Sequence, residues 1–84
     1  MSDRVDALRR ALEADPSNAA LRLMLAETLA DAGRRAEALD EYAVLVRDRA
    51  LGGAEAVAAA RVALDLGRLD LVAELLEIAR DAGV

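Results

Sequence analysis

Sixteen carboxylates, eleven arginines and a single tyrosine are the ionisable side chains of this 84-residue sequence; lysine, histidine and cysteine are missing. The most ordered of them are Asp70, Glu74, Glu77 and Asp81, at spacings of four, three and four. That spacing lays four carboxylates along one line of a helix, where like charges cost a little stability. Carboxylates in such a row need a partner group to do acid–base work, and the usual one near neutral pH, histidine, is not in the chain. Without cysteine there is neither a thiolate nucleophile nor a disulfide. The glycine pair in "LGGAEA" lacks the lysine and the spacing of a phosphate-binding loop, and no calcium loop is present. The chain therefore reads as non-catalytic, with no cofactor, no metal and no small-molecule substrate, and the acidic line reads as a solvated face.

The partners left are proteins. The net charge is −5, and an acidic chain without a basic stripe or stacking aromatics is a poor ligand for nucleic acid. Charges recur too often for a membrane span of about 18 apolar residues. The opening "MSDRVDALRR" lacks the apolar stretch of a signal peptide, so a cytoplasmic location is the expectation. Hydrophobic residues make up 56% of the chain but aromatics only 1%. An Ala/Leu/Val core of this kind suits closely approaching helices and not a β-sandwich.

What must position these residues becomes visible when the sequence is compared with itself. At an offset of 34 residues, Gly33 falls on Gly67, Arg34 on Arg68, Ala26 on Ala60, Ala38 on Val72 and Tyr42 on Leu76. A period of that length is the signature of stacked helical hairpins. Within the period, Leu21, Leu25, Ala26 and Leu29 recur at helical spacing, as do Ala38, Leu39, Tyr42, Leu45 and Val46. Gly33 and Gly67 stand where a helix must close through a left-handed residue. "DPSN", residues 15–18, gives a proline stop followed by Asn18 as an N-cap.

These residues resemble the tetratricopeptide repeat. With Ala19 as first position, Ala26, Gly33, Ala38 and Tyr42 match the small, turn and aromatic positions of the family motif. Ala60, Gly67, Val72, Leu76 and Ala79 match it again from Gly53. Two departures stand out: Arg22 occupies a position where the family has a large apolar residue, and Leu45 one where it has alanine. The resemblance implies an all-α, five-helix solenoid: a half repeat over 3–14, one repeat over 19–52 and a second over 53–84. A weaker likeness, carried by "LRLMLAETLADAGRRAEALDEY", links the chain to the amino-terminal helical segment of bacterial AAA-type ATPases of the valosin-containing class.

Two surfaces are candidates for contact with a protein or peptide. The resemblance places Leu23, Met24 and Glu27 of one repeat, and Val57 and Arg61 of the next, on the concave face. The lysines and asparagines with which chaperone-binding members clamp a terminal carboxylate are not found there. The second surface is the last helix, where Leu69, Val72, Leu76 and Ala79 are expected to pack against their own hairpin. Leu71, Leu75 and Ile78 form a second apolar stripe beside them, which is expected to be exposed and to be covered by more chain, a second copy or another protein. The functional expectation is a partner- or substrate-recruiting or oligomerising module at the amino-terminal side of a larger protein, an AAA-type ATPase among the candidates. The alternative is a complete small protein that forms a homodimer through its last helix.

Overall fold

A computed structural model describes residues 3–83. Five helices follow one another: α1 (Asp3–Ala14), α2 (Ala19–Asp31), α3 (Arg35–Arg47), α4 (Gly53–Asp65) and α5 (Leu69–Asp81). The 34-residue offset survives folding, since α4 starts 34 residues after α2 and α5 the same distance after α3. Helices α2 and α3 form one hairpin, α4 and α5 a second, and α1 packs on α2. This is the helical-repeat architecture expected of the sequence. Among the described residues there is no strand, and no helix is long and apolar enough to cross a membrane.

The helix ends follow from the residues placed there. Asn18 caps α2, its side chain accepting the Leu21 backbone N–H at 3.0 Å. Three helices close with the same pair of bonds. Arg34 N–H donates to the Leu29 carbonyl at 2.9 Å and Gly33 N–H to that of Ala30 at 3.0 Å. Arg68 and Gly67 repeat this after α4, and Ala50 and Arg49 after α3. The closure needs its first residue beyond the cap in the left-handed region. Gly33 and Gly67 hold φ values of 78° and 72°, as the sequence predicts, whereas Arg49 adopts 55° without a glycine's freedom.

The core is one continuous cluster drawn from all five helices, with no buried charged residue among those described. Helix α4 contributes Ala56, Ala59, Ala60, Val62 and Ala63, a face of small side chains that lets neighbouring backbones come close. Leucines fill the spaces between: Leu25 and Leu29 from α2, Leu39 and Leu45 from α3.

The Arg22 departure has a structural answer. Its guanidinium meets the Glu41 carboxylate of α3 at 2.7 Å, and both side chains are more than four-fifths buried. It also donates to the Pro16 carbonyl at 3.0 Å. Thirty-four residues on, the same two positions carry Ala56 and Leu75, both buried. One hairpin joins its helices there with an ion pair, the other with an apolar contact.

Candidate functional site

The concave side of the two hairpins holds a groove of about 800 Å³ between α2 and α4. Met24, Glu27 and Asp31 line it from α2, Val57, Arg61 and Asp65 from α4, and Tyr42 of α3 reaches it from behind. These side chains share the groove because positions 24, 27 and 31 lie along one face of a helix. The 34-residue repeat then sets positions 57, 61 and 65 on the equivalent face of α4.

Of the five residues expected on this face, the structure brings together Met24, Glu27, Val57 and Arg61. Leu23 is not among them. It is half-buried against the core, one residue of helix turning it about 100° away from Met24. Met24 and Val57 are 42% and 37% exposed, so the groove offers two apolar side chains to solvent. Sequence reasoning missed Tyr42 as a contributor. At 2% exposure it belongs to the core, yet it also backs the groove.

The electrostatics of the groove differ from lip to floor. Arg35 is tied to Asp65 at 3.4 Å across the two hairpins, while Arg61 makes no ion pair among the described residues. At the floor, burial first, then the nearby negative charges of Glu27, Asp31 and Glu55, hold the Tyr42 phenol above its ordinary value near 10. Across the whole lining, Glu27, Asp31 and Asp65 are matched by Arg4, Arg35 and Arg61, and nothing in the groove resembles a built anion site. No group of three or more metal-ligating side chains occurs among the described residues.

The last helix corrects the sequence expectation. Leu75 is 1% exposed and belongs to the core, and Leu71 and Ile78 are half-buried against it. The stripe expected to be open is the one on which α5 packs. Conversely, of the four residues expected to pack on the hairpin, Leu69 and Leu76 are 65% and 50% exposed, while Ala79 is buried and Val72 packs against the core. The repeat itself explains the exchange. Tyr42 is buried where α3 meets α4, so its equivalent, Leu76, faces the place a following helix would take. No helix follows α5 among the described residues. Leu75 aligns with Glu41, whose partner Arg22 marks that position as the seam inside the hairpin. The signal was therefore present in the sequence, as the pairing of positions 22 with 41 and 56 with 75.

Among known proteins, a family model described as "Tetratricopeptide repeat" matches residues 1–64. No curated protein and no solved structure matches the chain.

Proposed function

Because the chain belongs to the tetratricopeptide repeat family, we propose that it is a non-catalytic protein-interaction module whose groove takes an internal peptide segment of a partner. In the setting of a larger protein this is a partner- or substrate-recruiting role. The observation that carries the reading is the placement of Met24 and Val57, two exposed apolar side chains on facing helices, in a concave groove beside the carboxylates of Glu27 and Asp31. A methionine at such a surface adapts its shape to different side chains. The apolar pair accepts an aliphatic or aromatic anchor, and the carboxylates of Glu27 and Asp31 favour a neighbouring lysine or arginine on the peptide. The groove lining has no lysine or asparagine to clamp a terminal carboxylate as the chaperone-binding members do.

The chain supplies its own reporter. Tyr42 is the only aromatic residue and backs the groove, so its fluorescence reads occupancy directly. A library of twelve-residue peptides, varied in anchor and flanking charge and amidated at the carboxyl end, is titrated against the protein. Peptides with one large apolar residue beside a basic one are expected to bind and shift Tyr42 emission. Met24→Asp is expected to weaken them by about tenfold or more, the loss of one well-placed apolar contact. Binding that ignores both Met24→Asp and Val57→Asp refutes the groove as the working surface.

A further inference from the structure

Six large apolar side chains are exposed among the described residues, and they sort into two groups. Met24 and Val57 belong to the groove. Leu64, Leu66, Leu69 and Leu76 belong to the second hairpin and its turn. At the repeat offset, Leu64 stands for Ala30, Leu69 for Arg35, Val72 for Ala38 and Leu76 for Tyr42. In the first hairpin those four positions border α4: Ala38 and Tyr42 are buried, and Arg35 reaches Asp65. The end face made by α4 and α5 is thus the counterpart of an internal seam, but not a copy of it. The small and charged residues that admit α4 are replaced by leucines at positions 64 and 69.

The opposite end of the solenoid is unlike it. There α1 turns Asp6, Arg10 and Glu13 to solvent. Stacking copies head to tail would press leucines onto that charged surface, whereas pairing two like ends buries apolar against apolar. We propose that a second copy of this chain covers the end face, with the two α5 helices antiparallel about a two-fold axis.

The sequence of α5 fits itself in that arrangement. Leu69, Ala73, Leu76 and Arg80 follow one another at spacings of four, three and four, within a strip about 60° wide. All four are exposed. Run antiparallel, Leu76 of one copy meets the small Ala73 of the other, and Arg80 lies beside Leu69 and Asp70. Arg80 makes no ion pair among the described residues, while Asp70 has Arg68 of its own chain at 3.5 Å, so the pairing rests on the apolar contacts. Glu77 and Asp70 share the remaining rim, where like charges face one another. The pairing is therefore strengthened by salt. The face is independent of the groove, so either reading stands if the other fails.

Sedimentation equilibrium of the purified chain, from about 20 µM to 2 mM, is expected to show a monomer–dimer equilibrium that stops at two. Its dissociation constant should fall between about 10 µM and 1 mM, as a small interface gives. The Leu69→Asp/Leu76→Asp double variant changes only exposed positions and is expected to keep its helical circular dichroism. It should raise the constant at least about tenfold, each substitution entering twice across the axis. Arg10→Gln on α1 should leave the constant within about twofold, as a residue far from a like-end contact does. NMR spectra of the unmodified chain should show concentration-dependent shifts at Leu69, Ala73 and Leu76. A monomer throughout, association untouched by the double variant, shifts confined to α1 or the groove, or assemblies growing beyond two would each overturn the proposal.

Discussion

The charged and apolar solutions at one pair of positions can be exchanged. Replacing Arg22 by alanine leaves the Glu41 carboxylate where it is, with 17% of its side-chain surface exposed and its 2.7 Å partner gone. A hydrogen bond between charged groups contributes about 1.5–3 kcal/mol, and a stranded, largely buried charge sits at the upper end of that range. Arg22→Ala is therefore expected to cost about 2–3 kcal/mol. For a domain of this size that lowers Tm by roughly 8–24 °C. Adding Glu41→Leu recreates Ala56 and Leu75 of the second hairpin. The carboxylate disappears, a leucine is buried, and exchange of a buried ion pair for packed apolar groups is typically neutral or stabilising. The lost Arg22 bond to the Pro16 carbonyl lies at an exposed site and subtracts little. The double variant should thus recover at least about 2 kcal/mol relative to Arg22→Ala alone. Urea unfolding followed by far-ultraviolet circular dichroism on the wild type, both single variants and the double variant gives the coupling directly. If the double variant is no more stable than Arg22→Ala, the two hairpins do not share a packing geometry at these positions, and the account of why Leu75 is buried falls with it.

Two further outcomes follow from the turns and the tyrosine. A Cβ at Gly67 would meet nothing within 4 Å, so Gly67→Val should cost more than about 1 kcal/mol through backbone strain alone. Arg49→Gly, which relieves the same conformation at φ 55°, should be neutral or gain up to about 1 kcal/mol. Thermal melts of both variants check this, and an unchanged Gly67→Val contradicts it. For Tyr42, the folded phenol titrates above its unfolded value near 10, so the folded state binds the proton more tightly. The corresponding stability is complete below pH 10 and is lost as pH rises through the folded value. Absorbance at about 295 nm should give a titration midpoint above the model phenol, and Tyr42→Phe should flatten this part of the alkaline stability profile. A midpoint at or below 10 would mean that the ring is neither buried nor held among carboxylates.

The sequence alone determined what local periodicity can encode. The five helices, the Asn18 cap and the left-handed glycines at 33 and 67 are set by residue types a few positions apart, and the 34-residue offset is a property of the string itself. The groove was largely legible for the same reason: Met24, Glu27, Val57 and Arg61 share a helix face or its repeat-equivalent, and helix geometry carries such residues together. What the tertiary structure decided is which of two adjacent apolar stripes on α5 turns inward. Leu69 and Leu76 lie only one side of a helix away from Leu71, Leu75 and Ile78, and both sets satisfy a helical period. Rotation about the helix axis is fixed by the neighbours, here the alanine face of α4 closing on Leu75 and Ala79, and no single-helix pattern contains it. Leu23 went astray by the same margin. Tyr42 shows the converse, since its burial depends on α4, an element more than ten residues away. Leu76, the same position one repeat later, is exposed because the contact that buries its equivalent comes from the next hairpin and not from its own.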